Sequence, residues 1–315
     1  MKLVWQVYAS SERSDVQAGP SAERKCPAPD ITDLAFAVPE VPLSDLNLDR
    51  SLLLGAGTFG KVYKEHWAGS DVAVKEIILP KRSRLSMTET IQKEIMVNTK
   101  LRHPNIVQFL ATAKDTGGVY LVSEIIKGSN MDDAIFDQDI KKAMGIKPED
   151  KLGIIKQVMQ GIAYMHSLRP MVLHRDIKPG NILIKEHCLT TKLCDLGVSR
   201  VKSLLAATTT SVGSVPWSPL YMAPECLLGE ELSSAASDVW CVGITMIEFF
   251  AERDAWNVDQ SLTSVDDIKK LMRERKPPLR TDDKVPMEMR SLIDQCTSYD
   301  VGKRPPVIDI LKSIK

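Results

Sequence analysis

No two of the six cysteines stand as a CxxC pair; Cys26, Cys188, Cys194, Cys226, Cys241 and Cys296 are scattered along the chain. That spacing argues against a zinc site and a disulfide framework. It fits a reducing compartment, so the cytoplasm or the nucleus is the expected location. Surplus charge is missing too, since 41 basic residues balance 41 acidic ones. No net field draws the chain to nucleic acid or to an anionic membrane, and any anion it binds must be held locally. The longest apolar run, VWCVGITMIEFF at 239–250, is too short for a bilayer, which needs about 20 residues. A helix apolar on every side is usually buried inside a large domain. The opening MKLVWQVYASS has one lysine and an apolar run broken by Gln6, which argues against a secretory signal.

What is present is enough for a sizeable core: 43% of the residues are apolar and 26% charged. The length suggests about two domains. Residues 1–45, rich in Ser, Pro, Ala and charge, are expected to be a disordered extension, and any regulatory module lies there or on a separate partner. From Asp49 the texture changes. SLLLGAGTFGKVYKEHWAGSDVAVKEIIL alternates, is β-branched and breaks at AGS, which predicts three consecutive strands. TETIQKEIMVNTKL puts Ile91, Glu94, Ile95, Asn98 and Leu101 on one stripe, the spacing of a helix. NIVQFLATAKDTGGVYLVSEII then predicts two strands joined at TGG.

After KGSN the pattern turns helical. PEDKLGIIKQVMQGIAYMHSL carries Leu152, Ile155, Met159 and Ile162 at helix spacing, with acids in its first turn. A buried helix near 238–251 and amphipathic segments near 265–275, 286–297 and 306–314 follow. No internal repeat is visible. The layout is a strand-rich small lobe (about 46–124), a joint at 124–129 and a helix-rich large lobe (about 130–315).

GAGTFGKV, residues 55–62, fits G-x-G-x-x-G-x-V. Such loops also simply make turns. A dinucleotide-binding reading needs a helix directly after the glycines, whereas the segment after Gly60 alternates like a strand. A strand–loop–strand hairpin, whose Gly55, Ala56, Gly57, Thr58, Phe59 and Gly60 let backbone N–H groups approach a triphosphate, fits better. VAVK then sets Lys75 at the end of an apolar strand. It is either a snorkelling surface lysine or the partner of an anion. Glu94, on the inward stripe of the next helix, is the expected carboxylate partner.

HRDIKPGN, residues 174–181, lies between the strand-like runs MVL and ILI. A solvated loop is the bland account. Here, however, HRDIKPGN resembles the catalytic loop of protein kinases, and KLCDLGVSR resembles their metal-binding segment. LYMAPE at 220–225 is similar to the sequence closing the activation loop, and SDVW at 237–240 and GKRP near the end complete the family's order. The resemblance covers roughly residues 48–315. Within the family, VPLSDLNLDR and LRHPNIVQFL look most like the tyrosine-kinase-like group of serine/threonine kinases.

That resemblance implies an α+β, bilobal protein kinase fold, with a small antiparallel β lobe carrying one main helix and a larger helical lobe. It implies transfer of the ATP γ-phosphoryl group to protein hydroxyls, a task of positioning and charge neutralisation. Asp176 would accept the attacking hydroxyl's proton, Lys178 would steady the phosphoryl group, and Lys75 would pair with Glu94. Asn181 and Asp195 would supply oxygen ligands for Mg2+. Ser123 would stand behind the adenine as a small gatekeeper, with Glu124 and Ile126 on the hinge. Leu54, Val62, Ala73 and Leu183 would sandwich the base, although each also fits plain core. Lys178 points to serine/threonine substrates.

The resemblance also implies a switch. A phosphate on Thr208, Thr209, Thr210, Ser211 or Ser214 would add about −1.5 to −2 charge and pair with Arg175; a flexible polar loop is the competing account. An upstream kinase, or autophosphorylation in trans, would place it. Ser218 is expected to face substrate, and Glu225 and Arg304 to form a buried ion pair. Three departures stand out. VGSVPWSPLYMAPE is irregular, with GS and SP both able to stand for the usual Gly-Thr. The metal segment is DLG, in which leucine keeps an apolar plug. Asn98 sits where the family's regulatory stack is apolar, so Asn98→Leu is expected to raise basal turnover. A nucleotide-binding scaffold without activity and a kinase of small molecules are the competing classes. The first is opposed by the presence of Lys75, Asp176, Asn181 and Asp195 together, the second by the A-P-E, SDVW and GKRP elements.

Overall fold

The computed structural model describes residues 39–46, 48–57, 60–78, 101–115, 118–196, 219–230, 232–256, 258, 264–278 and 284–314. Thr58, Phe59, Glu94 and its helix, Asn98, Thr208, Thr209, Thr210, Ser211, Ser214 and Ser218 lie outside the described residues, as does the extension up to residue 38.

Five strands build the small lobe: β1 (Leu53–Gly57), β2 (Gly60–Trp67), β3 (Ser70–Ile78), β4 (Phe109–Lys114) and β5 (Gly118–Glu124). Their order is β1-β2-β3-β5-β4, and every neighbouring pair is antiparallel. The expected five strands are all present. Register follows the period of two: Val62 faces Lys75, Lys64 faces Ala73 and Ala73 faces Ser123, which gathers these side chains on the inner face. Val72, Val74, Tyr120 and Val122 fall on the outer face and are buried there. Gly60 has to be glycine, because a Cβ would lie 1.9 Å from the Glu76 carbonyl oxygen of β3.

The outer face corrects the expected boundary at residue 45. Pro39 and Val41 pair with Thr112 on the free edge of β4, and a short 3-10 turn, Leu43–Leu46, drops Leu46 into the apolar surface. Residues 39–45 therefore belong to the folded lobe. Their Ser, Pro and charge hid two apolar anchors, too few for any periodicity to register.

The large lobe opens with a small sheet, β6 (Gly128–Asn130), β7 (Ile182–Lys185) and β8 (Thr191–Leu193). ILI is β7, whereas MVL at 171–173 joins no strand. The three-residue β6 and β8 were too short for alternation to reveal. Gly128 lets β6 lie against β7, since a Cβ there would meet the Ile184 carbonyl oxygen at 2.0 Å.

Helices follow: α1 (Met131–Phe136), α2 (Gln138–Met144), α3 (Pro148–Ser167), α4 (Pro224–Leu227), α5 (Ala235–Ala251), α6 (Val265–Arg273), α7 (Met287–Cys296) and α8 (Val307–Ser313). Helix α3 starts on Pro148, with Asp150 accepting the Lys147 amide at 3.0 Å. It buries Ile155, Met159 and Ile162, while Leu152 stays half-buried. Helix α5 is capped by Ser234 and buried at every position from Ser237 to Ala251, as an all-round apolar helix requires. Among the described residues no helix is long and apolar enough to cross a membrane.

Candidate active site

A cavity of about 810 Å³ lies between the inner face of the small-lobe sheet and the large lobe. Leu54, Val62 and Ala73 line one side and Leu183 of β7 the other, with Ser123, Glu124 and Ile126 along the connecting strand. Gly55 and Lys75 line it from the sheet, and Asn181 and Asp195 from the large lobe. Ala56, Gly57 and Gly60 belong to the same hairpin without lining the cavity. The Ser123 hydroxyl points at the Ala73 carbonyl oxygen, 3.4 Å away. The Glu124 carboxylate is held by the Gln108 amide and the Lys192 ammonium, both at 2.7 Å, and the Glu124 amide donates back to the Gln108 carbonyl at 2.9 Å.

Two charges that lie 120 residues apart in sequence meet here. The Lys75 ammonium donates to the Asp195 carboxylate at 2.5 Å. Asn181 donates through Nδ2 to the Asp176 carbonyl oxygen at 2.6 Å and to its carboxylate at 2.9 Å. The Lys178 ammonium stands 3.7 Å from the same carboxylate. The Cys194 amide donates to the Asn181 carbonyl at 3.0 Å, which joins the segment before Asp195 to the catalytic loop. Leu196 is buried and lines the cavity, the place of an apolar plug.

Two non-glycine residues here carry left-handed backbones, Arg175 at φ 65° and Asp195 at φ 60°. Such conformations cost of order 1 kcal/mol or more and persist only where surrounding contacts impose them. For Arg175 the imposing group is Asp238 of α5, buried to 1% exposure. Its carboxylate accepts the Arg175 amide at 2.8 Å, the His174 amide at 2.9 Å and His166 Nε2 at 2.9 Å. SDVW was read from sequence only as a family mark. Nothing local to it tells that its aspartate holds a loop more than 60 residues upstream.

The segment ending the activation loop is fastened to the same helix. Tyr221 donates to the Glu248 carboxylate at 2.5 Å, the Ala255 amide donates to it at 3.1 Å, and Trp256 Nε1 donates to the Leu220 carbonyl at 2.9 Å. Burial pushes the Glu248 carboxyl up to about 7, against those two hydrogen bonds and with the help of Asp254 and Asp132. Glu225 and Arg304 form the expected buried pair, bidentate at 2.7 and 2.8 Å. Side chains missed from sequence include Lys64, Asp71, Val107, Phe109 and Leu121, which also line the cavity. Lys64 was within reach, because it lies two residues after Val62 on the same face.

The family profile described as Protein kinase domain matches residues 48–314. The chain belongs to the protein kinase family. A probable serine/threonine-protein kinase of Dictyostelium discoideum is 35% identical over 282 residues, covering 88% of this chain and 28% of that protein. The dual specificity protein kinase shkC of the same organism is 29% identical over 280 residues, 88% of this chain and 52% of its own length. The serine/threonine-protein kinase CTR1 of Arabidopsis thaliana is 28% identical over 278 residues, 87% of this chain and 32% of its own length. The chain thus spans roughly a third to a half of these three relatives, and what it shares with them is the kinase domain.

Proposed function

We propose that this chain transfers the γ-phosphoryl group of ATP to serine and threonine hydroxyls of proteins. The observation that carries the reading is the meeting of Lys75 and Asp195 at 2.5 Å in a cavity that Asn181 also lines. Adenine fits between Leu54, Val62 and Ala73 on one side and Leu183 on the other. Lys75 meets the phosphates, and the Gly55 main chain lies beside them. Asp176 takes the proton of the attacking hydroxyl, with its carboxylate aimed by Asn181 and neighboured by Lys178. Lys178 in HRDIKPGN favours serine and threonine.

The donor set fits Mg2+. Asn181 spends its Nδ2 on Asp176, which leaves Oδ1 as its accepting end, and Asp195 adds carboxylate oxygens. A magnesium ion held by these two residues supplies charge neutralisation on the phosphates. Control by a phosphate on Thr208, Thr209, Thr210, Ser211 or Ser214, paired with Arg175 and placed by an upstream kinase or in trans, is part of the same reading. So is a cytoplasmic or nuclear location, supported by the scattered cysteines. If all five hydroxyl residues become alanine and the treated enzyme keeps full activity, the switch is wrong.

The deciding experiment is radiolabelled phosphate transfer from ATP to serine, threonine and tyrosine peptides and to small metabolites, wild type against Asp176→Ala. Transfer to hydroxyl peptides that disappears in Asp176→Ala is expected. Equal incorporation in both proteins, or transfer to metabolites alone, would overturn the reading.

A further inference from the structure

The small-lobe sheet is gripped from behind by residues that straddle the start of the family match at residue 48. The described residues 39–46 and 48–50 run along the edge and outer face of the sheet. The Thr112 amide donates to the Pro39 carbonyl at 3.0 Å, and the Val41 amide donates to the Thr112 carbonyl at 2.8 Å. The Lys114 ammonium pairs with Glu40 at 2.6 Å. Leu46 is fully buried among Val72 and Val74 of β3, Ala111 and Ala113 of β4, and Val122 of β5. Together these buried residues form the apolar socket that holds Leu46.

The second grip is polar and lies next to the catalytic lysine. Glu76 is buried on the outer face of β3, one residue beyond Lys75, whose side chain leaves by the inner face. Its carboxylate accepts from Tyr63 of β2 at 3.1 Å, Tyr120 of β5 at 3.3 Å and Arg50 of the strap at 3.2 Å. Among the described residues Arg50 is its cationic partner. Without Arg50 this carboxylate keeps its two tyrosine donors but loses its cation, and it gains by turning toward water. Turning would tilt the strand locally, and Lys75 would tilt with it, because successive side chains on a strand are fixed to opposite faces of one pleat.

We propose that Pro39–Arg50 is a strap that positions Lys75 for nucleotide binding, with Arg50 acting through Glu76 and Leu46 anchoring the strap in its socket. The proposal rests on the kinase reading and adds to it a positioning residue outside the cleft. Arg50 is well suited to a test because its side chain is 67% exposed. Only the Glu76 end of the pair is buried, so removing the solvent-exposed Arg50 side chain opens no cavity and leaves the fold intact at a modest cost in stability.

The test uses the full chain with Mg-ATP and a serine/threonine peptide mixture, together with direct binding of a fluorescent ATP analogue. Arg50→Ala is expected to raise both the KM for ATP and the analogue's Kd about fivefold, the affinity change of an exposed pair at its strongest. The peptide KM should stay at the wild-type value and the thermal midpoint should fall by no more than a few degrees. Arg50→Lys should restore most of the nucleotide affinity, and Glu76→Gln should reproduce Arg50→Ala without adding to it in the double variant. Unchanged analogue binding in both Arg50→Ala and Glu76→Gln would overturn the strap's role. So would a fall in thermal midpoint with nucleotide affinity intact, which is the mark of a merely structural contact. Absence of phosphate transfer by the wild type would instead strike the kinase reading, and analogue binding would still report on the strap.

Discussion

Replacing Arg304 by methionine keeps its length and apolar stem but removes a guanidinium with four described hydrogen bonds. Two go to Glu225 at 2.7 and 2.8 Å, one to the Ser298 carbonyl at 2.8 Å and one to the Ala236 carbonyl at 3.1 Å. The group also lies over Trp240, 5.0 Å from the ring centroid. The side chains of Arg304 and Glu225 are 0% and 6% exposed, so methionine strands a buried carboxylate. Removing one partner of such a pair costs about 3–5 kcal/mol. At about 2–4 °C per kcal/mol for a chain of this size, the thermal midpoint should fall by roughly 10 °C.

The mirror change, Glu225→Leu, strands the guanidinium and should cost a similar amount. The double variant removes both charges at once, and its loss should be smaller than the sum of the single losses by about 1–4 kcal/mol. Denaturant unfolding followed by tryptophan fluorescence measures all four proteins. Additive losses, or single losses below about 1 kcal/mol, would refute the reasoning, because they would mean that the pair is solvated or already compensated.

Other expectations follow from the same geometry. The Glu248 carboxyl lies at about 7, above its ordinary 4.5, so its contribution is complete below pH 4.5 and is lost as pH rises through 7. Wild type should therefore lose about 3 kcal/mol of stability from this group between those limits; Glu248→Gln should not, and parallel stability–pH curves for the two proteins would refute it. Asp238→Ala removes the acceptor of the His174 and Arg175 amides. The buried His174 amide and the part-buried Arg175 amide lose their acceptor, and kcat should fall roughly 10- to 100-fold with little change in the KM for ATP; steady-state kinetics would show it. Leu46→Ala should leave a cavity behind the sheet and cost about 2–5 kcal/mol in unfolding experiments. An effect under 1 kcal/mol would mean that the strap is not seated.

Much of the fold was legible because its signals are local. Alternation in VAVK and VYLV, helical spacing in residues 148–168 and the all-round apolar stretch before Glu252 each describe one element's own surface. Among the described residues they led to the five strands of the small lobe and the longer helices of the large one, in the right order. The site residues were legible through spacing within HRDIKPGN and through resemblance. Where the elements were three residues long, as in β6 and β8, or where two apolar anchors sat in polar surroundings, as in Pro39–Leu46, no period had room to appear.

By itself, then, the amino-acid order determined most of the described elements and singled out Lys75, Asp176, Asn181 and Asp195 as candidates. Only the tertiary structure decided which distant groups meet. It inserted β5 between β3 and β4, brought Lys75 to Asp195, and set Asp238 beneath the loop it holds. It also seated Leu46 in the apolar cluster behind the sheet. Periodicity records which face of an element avoids water. It carries no record of which other face will cover it, because that choice is made by the shape and charge of surfaces that exist only once the chain has packed.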